Sequence, residues 1–351
     1  MKKVLIITYY WPPSGGSGVQ RWLKCVRYLR DYGWEPIVFT VENGEYPVLD
    51  ESLEKEVPEG VQVIRRPIWE PYQLYKRFTG QKPKKRVVSG FIKDKKPSFT
   101  KRVSMWIRGN MFIPDARKFW IKPASRYLKS WLKENPVDVI VSTGPPHSMH
   151  LIAHRVTRKL NIPWLADFRD PWTGIPYYKD LKLTGWADRK HHRQEKMITV
   201  DADRFVVVGN HMKKEFEAIG GREVDVITNG YDEADLRPQL KSARDKDFTI
   251  VHIGFLAETQ NHESLWQALG ELAGEDDVFR EKLRIRMIGK TDIGVEMYMK
   301  EYGIHDRAEF IDYVPHTEAI ENQGRAQVLL LTINNVENAK EVLKDFSRDY
   351  R

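Results

Sequence analysis

A single cysteine, Cys25, leaves no partner for an internal disulfide and fits a reducing compartment. It falls within an apolar helical pattern, which predicts inert packing in a core. No stretch approaches the roughly 20 apolar residues that a membrane-spanning helix needs. The opening Lys2-Lys3-Val4-Leu5-Ile6-Ile7 is too short for a secretion signal, and aromatics and prolines follow it where a small-residue cleavage site would stand. These absences predict a cytoplasmic protein. Acids are scarce in one place. Between residues 76 and 108 only Asp94 opposes Lys82, Lys84, Lys85, Arg86, Lys93, Lys95, Lys96, Lys101 and Arg102, with Phe91, Phe99 and Trp106 interleaved. The segment reads either as a solvated insertion or as a surface drawn to an anionic membrane, at about 1 kcal/mol per base. The formal net charge of +8 would by itself admit nucleic acid. No helix-turn-helix, zinc-finger or RNA-binding signature accompanies it, so no nucleic-acid partner is expected.

What is present is an ordinary globular composition, 41% hydrophobic and 30% charged, in 351 residues, enough for two domains. Residues 3–8 form a short β-branched apolar run that ends in a Pro-Gly loop. Trp22, Leu23, Val26 and Leu29 then recur at helical spacing, Gly33 closes the helix, and residues 36–41 are again strand-like. This is one βαβ unit and implies a parallel sheet with right-handed crossovers. After a weaker strand at 61–64 and the basic insertion at about 72–112, the alternation resumes, with strands at 137–142, 163–166, 204–208 and 224–227. The run Val137-Asp138-Val139-Ile140-Val141 indicates a sheet covered on both faces. Composition turns polar around 235–247, a linker. A second series follows, with strands at 248–253, 283–288, 308–311 and 327–332. The reading is an α/β protein with a first Rossmann-like domain at 1–235, a second at 247–340, and a closing helix at 341–351.

In open parallel sheets, ligands bind beyond the carboxyl ends of the strands. Five loops occupy that end. In Trp11-Pro12-Pro13-Ser14-Gly15-Gly16-Ser17-Gly18, three glycines open a helix, allowing close backbone approach to a ligand at a partially positive helix start. It is no dinucleotide fingerprint, because Arg21 takes the place of the third glycine, and no Walker loop, because no Gly-Lys-Ser/Thr follows. Gly144-Pro145-Pro146-His147-Ser148 sets His147 where a strand ends and a helix begins, whereas His150, one turn on, is expected to pack or cap locally. In Asp167-Phe168-Arg169-Asp170-Pro171-Trp172, alternation sends Asp167 and Arg169 one way and Phe168 and Asp170 the other. An Asp–Arg brace and sugar-hydroxyl recognition are equally open readings there. Thr228-Asn229-Gly230 is a turn before the linker, and His252-Ile253-Gly254-Phe255-Leu256 opens the second series.

Taken in order, these stretches, with Tyr313-Val314-Pro315-His316, resemble the GT-B-fold retaining glycosyltransferases of family 4. The resemblance implies two Rossmann-like domains facing a cleft, with the acceptor on the first and the donor on the second. It implies a nucleotide-diphospho-sugar as co-substrate, no further cofactor, no bound metal, and retention of anomeric configuration. His147 would contact the transferring sugar and Asp170 would orient hydroxyls. Gly15, Gly16, Ser17, Gly18, Arg169 and Asn229 would line the substrates, and Gly254 would lie near the diphosphate. With the basic insertion, it points to a cell-envelope or lipid-linked glycan acceptor at the inner face of the membrane.

Two departures stand against the pattern. Gln260 occupies a place where the family sets a basic residue for the diphosphate. The family also continues past 340 into a glycine loop and a helix with a ribose-binding glutamate, whereas here Glu337 and Glu341 sit in another context, so the second domain reads as incomplete. The alternative is therefore the same fold acting only as a glycan- or partner-binding module. A nicotinamide-dependent dehydrogenase is disfavoured by Arg21.

Overall fold

The computed structural model describes residues 1–70, 99–175, 178–235 and 243–333. Most of the basic segment, part of the linker and the closing helix expected at 341–351 lie outside these residues. The described residues fall into two units that meet in sequence at Gly230 and Tyr231.

The first unit runs β1 (Lys2–Ile7), α1 (Ser17–Leu29), β2 (Trp34–Val41), β3 (Gln62–Arg66), α2 (Phe99–Met111), α3 (Ile121–Glu134), β4 (Val139–Gly144), α4 (Ser148–Leu160), β5 (Trp164–Phe168), α5 (Gly185–Asp201), β6 (Arg204–Val207), α6 (Asn210–Gly220) and β7 (Asp225–Val226). Its seven strands are parallel and ordered β3-β2-β1-β4-β5-β6-β7. The two-residue period of β1 sends Leu5 and Ile7 into one core, with Phe39, Ile140 and the apolar stripes of α3, α4 and α6. Val4 and Ile6 enter a second core under Val19, Leu23 and Val26 of α1. Helices on both faces explain why these strands are apolar on both sides.

Two sequence expectations change here. Cys25 is exposed on α1 and is not in the core, because the buried stripe of that helix passes through Val19, Leu23 and Val26. Crowding by surrounding protein still raises its thiol above the ordinary value. The alternation, expected to resume only at 137 after the insertion, already includes the full helix α3, which buries Ile121, Ala124, Leu128 and Leu132. Pro123 in its first turn costs no intrahelical hydrogen bond.

The second unit runs β8 (Phe248–Ile253), α7 (Glu263–Glu275), α8 (Asp277–Lys282), β9 (Leu283–Ile288), α9 (Ile293–Glu301), β10 (Ala308–Ile311), α10 (His316–Arg325) and β11 (Val328–Leu329). Its sheet is also parallel, ordered β10-β9-β8-β11. Trp266 and Leu269 of α7 pack with Ile285, Met287, Val295 and Met299. No helix among the described residues is long and apolar enough to cross a membrane.

Candidate active site

In the first sheet the chain leaves β1 toward β2 and β3, and leaves β4 toward β5, β6 and β7. The adjacent carboxyl ends of β1 and β4 thus form a topological switch point, the usual ligand position of an open α/β sheet. The glycine turn and the loop carrying His147 both emerge there.

The turn is stitched to the segment after β2. Gly15 N–H donates to the Val48 carbonyl at 3.0 Å, and Asp50 N–H to the Pro13 carbonyl at 2.8 Å. Gly16 caps α1 at φ 88°, a conformation that L side chains rarely adopt, and no heavy atom lies within 4 Å of where its Cβ would stand. No side chain caps α1, and its first turn, opened by Ser17, holds no acid. The start of α1 therefore presents partial positive charge that neither an N-cap side chain nor an acid of its own first turn offsets. The start of α4 differs. Asp115 accepts both the Ser148 N–H and the Ser148 hydroxyl at 2.8 Å, so a carboxylate already fills it. Of the two helix starts beside the switch point, α4 is thus capped by a carboxylate from another segment, and α1 has no capping side chain.

Gly18 has a different reason to be glycine. A Cβ there would stand 3.2 Å from Arg169 Nη1 and 3.3 Å from a Tyr10 ring carbon. Arg169 donates from Nη1 to the Gly18 carbonyl and from Nη2 to the Pro145 carbonyl, tying the β1 and β4 loops together. The carboxylate of Asp167 pairs with Arg21 and not with Arg169. It receives Arg21 Nη2 at 2.9 Å, Trp22 Nε1 at 2.7 Å and the Thr143 hydroxyl at 2.8 Å, and is 1% exposed. Arg21 also donates to the Thr228 and Ile227 carbonyls at 2.9 Å and to Asn229 Oδ1 at 3.3 Å. The residue that breaks the dinucleotide fingerprint is the clamp that joins α1, β5 and the loop after β7. Asn229 itself is exposed.

His147 forms the N-cap of α4 and is 8% exposed. Its ring lies parallel to Trp172, with centroids 4.6 Å apart, and near Phe168 at 5.3 Å. Trp172 is held in turn, since its Nε1 donates to His191 Nδ1 at 3.0 Å. His150 packs as expected, flat on Phe168 with Nδ1 2.8 Å from the Ser142 hydroxyl. Burial, with Arg169 and His191 adding to it, lowers the His147 pKa to about 3. Its imidazole is neutral near pH 7, able to hydrogen-bond but not to carry charge. Because the native state refuses a proton that the unfolded chain accepts below the ordinary value of 6.5, stability is full above that pH and declines as pH falls toward about 3. His147→Phe, which keeps the stack, should flatten part of that decline in urea midpoints measured between these values. An unchanged slope would show that the histidine titrates freely. Asp170 is open to solvent but crowded by protein, which raises its carboxyl, while Arg169 pulls it down.

In the second unit the corresponding switch point lies between β8 and β11. Gly254, at φ 130°, follows β8, and no atom lies within 4 Å of its missing Cβ. Gly289 follows β9 at φ 105°, and a Cβ there would meet the Gly254 carbonyl oxygen at 2.3 Å. Sequence reading missed Gly289, although Ile288-Gly289 repeats Ile253-Gly254 at the next strand end. Gln260 has its amide oxygen 3.0 Å from the Ala257 N–H and its nitrogen 3.4 Å from the Thr332 carbonyl, so it shapes this loop. His262 Nε2 contacts the Ile333 carbonyl at 2.9 Å.

Residues 15–230 match the family model described as "Glycosyl transferase 4-like domain". The chain belongs to that family. Among curated proteins none matches it. Solved structures do. A glycosyltransferase from Rickettsia africae ESF-5 aligns with TM-score 0.56 and 14% identity over 93% of this chain and 72% of that one. Sucrose-phosphate synthase from Thermosynechococcus elongatus aligns with TM-score 0.54 and 14% identity over 94% and 75%. S. aureus TarM, in a structure with fondaparinux, alpha-GlcNAc-glycerol and UDP, aligns with TM-score 0.58 and 9% identity over 94% and 80%. At such identities the likeness establishes the fold, that of the GT-B glycosyltransferases. The family assignment makes this chain a glycosyltransferase, and its matched span contains the glycine turn, His147, Asp167, Asp170 and Asn229.

Proposed function

We propose that this glycosyltransferase moves a sugar from a nucleotide-diphospho-sugar to a glycan or lipid-linked acceptor of the cell envelope, with retention of anomeric configuration. The observation that carries the reading is the switch point of the first sheet, where an open, acid-free helix start behind Gly16 adjoins the loop bearing His147. That pairing supports a reading in which negative charge is held near a neutral hydrogen-bonding ring, His147, and a solvent-reachable carboxylate, Asp170. His147 would contact a hydroxyl of the transferring sugar and Asp170 would orient a second one. Gly15, Gly16, Ser17 and Gly18 would serve through their backbone, while Arg169 acts on the substrates indirectly, by fixing the two loops. Asn229 would lie at the rim. In the second unit the open backbone at Gly254 is offered to the diphosphate, in a loop that Gln260 shapes. Preorganised N–H groups aimed at the departing diphosphate would lower the barrier without a reorganisation step.

The solved structure of TarM holds UDP, as does that of Anabaena HepE, which supports testing uridine nucleotides first. Calorimetry with a panel of UDP- and GDP-sugars should show one donor binding below about 1 mM. With that donor and an accepting glycan, His147→Phe should retain binding and lose turnover by about a hundredfold or more. NMR of the product anomer checks retention. Failure of every donor to bind at that concentration would leave the non-catalytic, glycan- or partner-binding reading.

A further inference from the structure

The first unit carries a second charged feature, remote in sequence from the glycine turn. Helices α3 and α4 lie side by side over one core, and a depression on their outer surface is lined by Lys122, Ser125, Arg126, Lys129, Arg155 and Lys159. Lys122, Arg126 and Lys129 follow the four- and three-residue spacing of a single helix stripe, and Lys133 continues it. No carboxylate lines the depression, and none of its five cations forms an ion pair among the described residues. Five neighbouring like charges repel one another, so a surface of this kind favours the arrival of a multivalent anion.

The residues that lead into α3 specify the anion. Phe119, two residues before α3, is 41% exposed and lies edge-on to Trp69, which is 59% exposed, with centroids 4.9 Å apart. Lys118 holds its ammonium 5.0 Å from the Phe119 ring and 5.5 Å from that of Phe112. Trp106, Ile107 and Met111 of α2 are exposed as well. Large apolar rings beside lysines are the composition of a lipid headgroup boundary. A single-stranded nucleic acid would instead need rings within the cation track, on which to stack its bases, and the depression has none.

We propose that this face docks on an anionic lipid bilayer, with the α3–α4 groove holding phosphate headgroups while Trp69, Phe119 and the exposed side chains of α2 enter the boundary region. The inference rests on the reading that the acceptor is carried by a membrane lipid, and extends the contact from the end of the basic segment, where Trp106 and Ile107 lie, to a groove outside it.

The test is co-sedimentation of the intact chain with vesicles of phosphatidylcholine, alone or mixed with phosphatidylglycerol. The variant Arg126→Gln/Lys129→Gln/Arg155→Gln should partition onto the mixed vesicles about a hundredfold less, at roughly fivefold per base. Lys246→Gln/Lys282→Gln/Lys290→Gln removes equal charge from exposed sites of the second unit and should leave partitioning unchanged. Equal losses from both variants, or binding indifferent to phosphatidylglycerol, overturn the proposal. So does a groove variant that keeps vesicle binding and loses only RNA binding. Donor calorimetry separates the two readings: a chain that docks through the groove but binds no nucleotide-sugar retains the docking face and loses the catalytic assignment.

Discussion

Asp167→Ala should lower the stability of the first unit by about 3–5 kcal/mol, the range for stranding one member of a buried ion pair. The carboxylate is 1% exposed, and the Arg21 side chain that it pairs with is 8% exposed. Alanine would leave a guanidinium, the Trp22 indole N–H and the Thr143 hydroxyl without the acceptor they share. Arg21→Ala should cost a similar amount for the opposite reason, stranding the carboxylate and releasing the Ile227 and Thr228 carbonyls. Arg21→Lys keeps the charge but loses the planar fork that reaches both β5 and the 227–229 loop, so it should rescue little. The double alanine variant removes both charges together and should cost less than the sum of the single losses. Urea denaturation followed by tryptophan fluorescence reads all four. A loss below about 1 kcal/mol for Asp167→Ala would mean that the pair behaves as a solvated surface bridge.

Gly289→Ala should be the most damaging single substitution in the second unit. Positive φ alone costs an L residue about 1–3 kcal/mol. Here the added methyl would also stand 2.3 Å from the Gly254 carbonyl oxygen, a backbone atom that cannot swing aside without disturbing the end of β8. Gly254→Ala carries the same kind of backbone penalty but meets open space, and Gly16→Ala likewise. Both should therefore fold with a modest loss, while Gly289→Ala should unfold the second sheet's carboxyl end. Hydrogen exchange of the amides of β8 and β9 distinguishes the cases. Protection in Gly289→Ala equal to that of the parent chain would show that the two loops are free to separate. If Gly254 offers its backbone to the diphosphate, as proposed, Gly289→Ala should also weaken donor binding where Gly16→Ala leaves the second unit intact.

The regular elements were readable because strand and helix periodicity is a local property of the backbone. The runs at 3–8, 36–41 and 137–142 became β1, β2 and β4 within a few residues, and His150 packed as its position in α4 implied. Helix α3 escaped notice although Ile121, Ala124, Leu128 and Leu132 carry the helical period, because Pro123 and the neighbouring basic run obscured its start. The short α8 depends on Asp276 accepting the Val278 and Phe279 N–H groups, a cap visible in sequence only once the helix is known.

The sequence by itself determined the alternation of strand, loop and helix except at α3 and α8, and so determined which loops gather at the carboxyl edges of the two sheets. It could not assign the partners of the charged side chains within those loops. Arg21 and Asp167 are 146 positions apart, and Ser148 meets Asp115 across 33. Such pairings follow from sheet order and from the depth at which each group is cut off from water, and both are properties of the folded whole. Only the tertiary structure therefore decided that Arg169 braces two loops, that α4 is already capped by a carboxylate, and that α1 has no capping side chain.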